Sequence, residues 1–202
     1  MKTLFFLSFL LLWWLPGAAQ RNNRNVDTAA LRGELTAIYD KDQKERAAYD
    51  ETERRYGWGA REAQDARRQI QDMDRRHLRQ IEALIDRLGG YPGRSLVGQP
   101  LDQVAFLIIQ HSTDRAVHEK YLPLIREAAH KGDIDKASAA ILTDQVSVQK
   151  GEKQVYGTQI RINGSGAKEL YPVEDMTTLN QRRKEMDLEP IEVYLKRMGV
   201  KQ

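Results

Sequence analysis

Residues 101–114 read Leu101-Asp102-Gln103-Val104-Ala105-Phe106-Leu107-Ile108-Ile109-Gln110-His111-Ser112-Thr113-Asp114, and the change of character at Gln110 organises the chain on either side of it. Up to Ile109 this is the most hydrophobic stretch downstream of the N-terminal segment. A helix apolar on nearly every side is a buried one, so the spacing predicts a core helix. It runs directly into clustered polar groups, which places His111 at the edge of that core. Ser112, Thr113 or Asp114 can cap a following helix that carries Val117, Tyr121, Leu122, Leu124, Ile125 and Ala128 and ends at Lys131-Gly132. Pro123 lies inside that segment and is expected to kink it.

Working back from this core, Thr28 to Leu88 is rich in Ala, Leu, Glu, Lys, Gln and Arg and has no proline, so it is helix-forming almost throughout. Tyr56-Gly57-Trp58-Gly59 breaks it into two helices. In the first, Leu31, Leu35, Ile38, Tyr49, Thr52 and Tyr56 follow a four-and-three spacing, interrupted by Asp42 and Glu45. Those carboxylates belong either to a solvated face or to a site aimed inward. The second helix, Ala60 to Leu88, places Ile70, Met73, His77, Leu78, Ile81, Leu84, Ile85 and Leu88 on one stripe. The stretch near residues 50–76 is densely charged, and its end is expected to project from the body. Gly89-Gly90 and Tyr91-Pro92-Gly93 then turn the chain.

Downstream of the core, residues 135 or 136 to 143 read as a short helix. Gln145-Val146-Ser147-Val148-Gln149 alternates, Lys150 to Lys153 reads as a turn, Gln154 to Ile162 alternates again, and Glu169 to Val173 is a candidate third strand. From Asp175 the pattern is helical to Met198. The fold class expected is mainly α with a small antiparallel β-hairpin or sheet near residues 145–171.

Met1, Lys2, the apolar run Leu4 to Leu15 and Pro16-Gly17-Ala18-Ala19 have the form of a secretory signal, too short to span a membrane as a helix. Cleavage after Ala19 leaves 202 − 19 = 183 residues, a flexible arm over 20–27 and one mainly helical domain over 28–202. The expected location is outside the cytoplasm, periplasmic or extracellular. Removing Lys2 lowers the net charge from +3 to +2. Residues 20–90 carry 15 basic and 14 acidic groups, so no one-sided positive field for nucleic acid is present. The absence of cysteine excludes a disulfide framework, a zinc–thiolate site and a thiol nucleophile. No phosphate-binding glycine loop, nucleophile elbow or His-Glu-x-x-His is present.

Partial constellations remain. His111, Asp114 and His118 are spaced three and four, which on one continuous helix would suit a divalent metal. The capping chemistry of Ser112 to Asp114 breaks that helix, and no metal or cofactor is expected. His111 alone can serve as an acid or base near neutral pH. Gln154, Tyr156, Thr158 and Gln159 make a polar set in which Gly157 admits a close backbone approach.

Taken in order, Asp42-Gln43-x-x-Arg46, Met73-Asp74 followed by Leu78 and Ile81, Gly90-Tyr91-Pro92 with Val97-Gly98, Gln110-His111-Ser112, Gln154-x-Tyr156-Gly157-Thr158-Gln159, and Arg182-Arg183 before Leu188-x-Pro190 resemble a bacterial family known only as a domain of unknown function. The resemblance covers about Asp42 to Tyr194 and implies an exported member. It implies no activity, but its signature is largely polar, and polar residues that define a motif set build a site more often than a core. The expected site has His111 and Asp42 in catalytic roles. Arg46, Gln110, Tyr156 and Gln159 would be ligand contacts, Arg46 as an anion clamp. The partner is a small polar ligand. The competing class is a non-catalytic module that binds an envelope protein through the charged helices around Glu51 to Arg76, with Tyr56 and Trp58 as anchors. Neither reading involves nucleic acid, or a membrane once the signal is cleaved.

Overall fold

The computed structural model describes residues 26–200; the expected signal segment and most of the arm lie outside them. Helix α1 (Thr28–Tyr56) starts at Asp27, whose carboxylate accepts from the amides of Ala29 and Ala30. The chain reverses through Gly57-Trp58-Gly59 into α2 (Arg61–Leu88), which ends at Gly89 in the left-handed conformation. Glu34 pairs with Arg87, Arg46 with Asp74 and Glu53 with Arg67, the ladder of an antiparallel hairpin. A short α3 (Arg94–Val97) and a 3-10 turn (Leu101–Gln103) lead into α4 (Val104–Gln110). Val104, Ala105, Phe106, Ile108 and Ile109 of α4 are buried, as its composition requires. Asp114 caps α5 (Arg115–His130) by accepting from Ala116, and Pro123 lies within that helix.

Helix α6 (Lys136–Gln149) corrects one expectation. Residues 145–149 are its last turns and form no strand. Five alternating residues fit either period, and here Leu142 and Val146, four apart, stay buried in one stripe while no breaker occurs before Gly151. The sheet has two strands, β1 (Ile160–Ile162) and β2 (Lys168–Leu170), paired antiparallel with Ile160 opposite Leu170 and Ile162 opposite Lys168. Residues 154–159, expected within the second strand, form a loop tied to Val173 by one bridge at Gln154. The expected third strand ends at Leu170. Helices α7 (Leu179–Glu185) and α8 (Ile191–Met198) complete the chain.

The described residues are mainly helical, with eight α-helices and this one small sheet. One core joins α1, α2, α4, α5 and α6 around Leu35, Ile81, Leu84, Ile109, Ile125 and Leu142. A smaller cluster of Leu179, Ile191 and Leu195 packs the C-terminal helices under the hairpin with Ile160, Leu170 and Val173. Among the described residues, no helix is long and apolar enough to cross a membrane.

Candidate functional site

The interruption of the α1 stripe at Asp42 faces inward. Leu31, Leu35, Ile38 and Asp42 are the buried residues of that helix, and the Asp42 side chain is only 1% exposed. One turn on, Arg46 Nε donates to both Asp42 oxygens, at 3.2 and 3.1 Å. Its Nη2 reaches Asp74 Oδ1 on α2 at 2.5 Å and His111 Nδ1, just past the end of α4, at 2.7 Å. A guanidinium cannot accept a hydrogen bond, so His111 Nδ1 accepts here and Nε2 carries the proton of the neutral ring. Nδ1 also lies 3.7 Å from Asp42 Oδ1, so Asp42 is the ready partner for the ring once it is protonated. Three elements thus deliver four ionisable groups to one point, and His111 remains 25% exposed there.

The two carboxyls are pushed in opposite directions. Burial opposes the charge of Asp42, but the nearby His111 and the hydrogen bonds and positive charge of Arg46 outweigh it and hold the carboxyl at about 2. Burial dominates at Asp74 and lifts it above the ordinary aspartate value; Arg46 attracts it, while the negative Asp42 adds to the upward push. Asp74 also lines a small groove of about 190 Å³ with Gln71, Leu78, Ser112 and Asp114. Asp42, Asp74 and His111 offer ligand atoms within 4.8 Å of one another, a set whose chemistry suits a divalent ion. Arg46 bonds all three and supplies the positive charge there.

Histidine 118 belongs elsewhere. It is fully buried, with Nε2 on the Ile109 carbonyl at 3.1 Å and Nδ1 on the Gln149 side chain at 3.0 Å, and it ties α5 to the last turn of α4. Asp114 is the α5 cap, and the chain breaks between the helices, so His111, Asp114 and His118 share no helix face.

The six expected site residues are divided. Asp42, Arg46 and His111 meet; Gln110 and Gln159 line a cleft of about 610 Å³ between α6, β1 and the C-terminal helices, which shares no lining residue with the Asp74 groove. Tyr156 lines neither space, and the structure engages its backbone. Its N–H donates to Asp144 at 2.9 Å and its carbonyl accepts from Arg183 at 2.6 Å. Burial raises its phenol above the ordinary tyrosine value.

The reason is Asp144, a fully buried carboxylate on α6 that accepts from the amides of Val155, Tyr156 and Thr158 and from the Thr158 hydroxyl. Gln154, also fully buried, closes the same loop by accepting from Gln159 N and donating to the Gln159 and Tyr171 carbonyls. Gly157 sits at φ +68°, and a Cβ there would lie 3.2 Å from Ile191 Cδ1. The polar motif at 154–159 is therefore in large part a clamped loop.

Asp74 was read only as part of the Met73-Asp74 motif and Asp144 not at all, and neither was given a place in the expected site. For Asp74 a signal existed: a carboxylate beside Met73 on the stripe that also carries His77 and Ile81. For Asp144 it was the lone charge among Ala139, Ala140, Leu142 and Val146, masked because the end of α6 read as a strand.

No curated protein and no solved structure matches the chain. A family model does, over residues 29–200, and covers α1 through α8 with every residue of the Asp42–Arg46–Asp74–His111 cluster and of the clamped loop. The chain therefore belongs to DUF6624, a family of unknown function.

Proposed function

We propose that this is an exported protein of the cell envelope that binds a small polar ligand at the Asp42–Arg46–Asp74–His111 cluster and exchanges a proton with it. The observation that carries the reading is Arg46 Nη2 held at once by Asp74 at 2.5 Å and His111 at 2.7 Å, with its Nε on Asp42. With both carboxyls ionised and the ring neutral, one guanidinium faces two negative charges. A proton taken up by Asp74 removes the surplus, which is the behaviour asked of a general base, while His111, whose Nδ1 lone pair is held by Arg46, offers the ligand its Nε2–H as an acid. His111 Nε2 is the ring atom left for the ligand, Asp42 orients the ring, and Arg46 clamps an anionic group of the ligand. A groove of about 190 Å³ beside Asp74 suits a ligand of few atoms, since drug-sized ligands occupy roughly 300–1,000 Å³. Export rests on the N-terminal sequence pattern alone.

Screening polar fragments by NMR against the purified protein tests this. Fragments that move His111 and Asp74 signals in the wild type, and lose that effect in folded His111→Ala and Arg46→Gln, support it. If neither substitution changes any fragment binding or turnover, the proposal fails.

A second reading rests on the hairpin tip. Trp58 is 69% exposed, with the Arg67 guanidinium 4.6 Å from its ring, and Tyr56 beside it is also exposed. Aromatic and arginine side chains of this kind anchor protein interfaces. In this reading, deleting residues 53–68 abolishes co-purification of an envelope protein without unfolding the core; retained co-purification sinks it.

A further inference from the structure

The cleft that Gln110 and Gln159 share contains a buried cation with no carboxylate against it. Arg183 on α7 is 1% exposed. Its Nε donates to the Glu189 carbonyl at 2.7 Å, and its Nη1 to the Tyr156 and Gly157 carbonyls at 2.6 and 3.2 Å. The Tyr194 ring lies 4.9 Å from its Cζ. These partners are dipoles and a π face. Among the described residues, no acceptor takes a hydrogen bond from its Nη2 and no carboxylate forms an ion pair with it.

The acids nearby are already engaged. Glu189 accepts from Arg197 Nη2 at 2.6 Å, and Asp187 lies 3.8 Å from Lys136 Nζ. Both acids line the cleft, each beside its own cation, and the fully buried Asp144 is taken up by the amides of Val155, Tyr156 and Thr158, so no carboxylate hydrogen-bonds the Arg183 guanidinium although several act on it through space. An isolated buried charge is among the costliest arrangements a protein holds, and it is relieved by an opposite charge. Gln110 adds a second donor. Its side-chain amide lines the same cleft and makes no hydrogen bond among the described residues, since the one bond at this residue goes to its backbone carbonyl from Gln145. At about 610 Å³, the space is of the size that small organic ligands fill.

We propose that this cleft binds the carboxylate of a small monoanionic organic acid, received by Arg183 Nη2 and the Gln110 amide, with the Tyr194 ring beside the ligand's body. The unbonded guanidinium nitrogen and the unbonded amide match the two oxygens of one carboxylate. A dianion such as inorganic phosphate would face Asp187 and Glu189 with a negative charge left over. A purely structural role for Arg183 accounts for its three bonds to carbonyls but not for the free Nη2 or for the unpaired Gln110 amide in the same cleft. The site is independent of the histidine cluster and stands or falls apart from it.

The test is an NMR titration of the purified protein with sodium benzoate and, separately, with sodium phosphate at matched ionic strength. Benzoate is expected to give saturable shifts at the Gln110 side-chain amide and at Leu188 and Glu189. Phosphate is expected to bind at least about tenfold more weakly, and Gln110→Leu to weaken benzoate by a similar factor. Arg183→Gln should abolish binding; because its bonds also hold the loop, Gln110→Leu decides the question if that variant unfolds. Absence of saturation at tens of millimolar, equal binding of phosphate, shifts confined to the His111 region, or unchanged affinity in Gln110→Leu would each overturn the proposal.

Discussion

Arg46 bonds Asp42, Asp74 and His111 at once and so stands where a metal ion could bridge them. Replacing it with alanine frees three donor atoms that lie within 4.8 Å of one another, two carboxylates and an imidazole that together resemble an open zinc site. Arg46→Ala is therefore expected to bind Zn²⁺ stoichiometrically in calorimetry, at least about tenfold more tightly than the wild type. Equal affinity would mean that Arg46 does not guard the donors. The two aspartates should also part company in stability. Asp42 is held at about 2 against an ordinary 3.8, so its contribution is fully present above about pH 4 and is lost as pH falls towards 2; it amounts to about 2 kcal/mol. Asp74 is raised, so the folded state holds its proton more tightly than the unfolded chain does. Its contribution is complete below about pH 4 and is lost as pH rises through the folded value, leaving a cost at neutral pH. Denaturant unfolding at pH 7 should find Asp42→Asn destabilised by about 2 kcal/mol and Asp74→Asn near neutral or stabilised. The reverse order would refute this account. Asp42 was legible in the sequence because a carboxylate interrupts an apolar stripe, and His111 because it follows the core helix. Their meeting with Asp74 was not, because it depends on how α2 registers against α1.

At the level of elements, the informative junction is α6 with the loop at 154–159. Asp144→Ala would leave the amides of Val155, Tyr156 and Thr158 without their acceptor. Each buried polar group so orphaned costs about 1–3 kcal/mol, so the variant should lose at least about 3 kcal/mol in chemical denaturation. A loss under about 1 kcal/mol would show the loop to be held by other contacts. Gly157→Ala at φ +68° should also destabilise the same junction, through backbone strain and the Ile191 contact. This loop is where the reading of the sequence was weakest. Alternation in residues 145–149 matched a strand, yet local period over five residues is decided by burial against α5 and by the absence of a breaker before Gly151. Once α6 runs to Gln149, Asp144 points at the loop, and the polar motif becomes a clamp whose backbone carries the order. The long helices, in contrast, were readable to within a few residues, because the 61 positions from Thr28 to Leu88 hold no proline or paired glycines and leave little alternative.

Across the whole molecule, burial is unevenly distributed along the α1–α2 hairpin. In α1 the buried residues stop at Asp42, and in α2 only Ala63 is buried before Met73. Beyond the Arg46–Asp74 pair, the two helices hold together through exposed or half-exposed contacts such as Glu53 with Arg67. Surface ion pairs of that sort contribute about 0–1 kcal/mol each. Amide hydrogen exchange should therefore divide the hairpin at the cluster, with residues 47–70 exchanging well before residues 31–42 and 77–85. Uniform protection along both helices would contradict this. The same imbalance has a practical reading. The bend at Gly57 to Gly59 lies at the far end of a segment on which the core does not rely. A foreign domain or fluorescent reporter could be spliced into the chain there, and each half would still find its place in the fold.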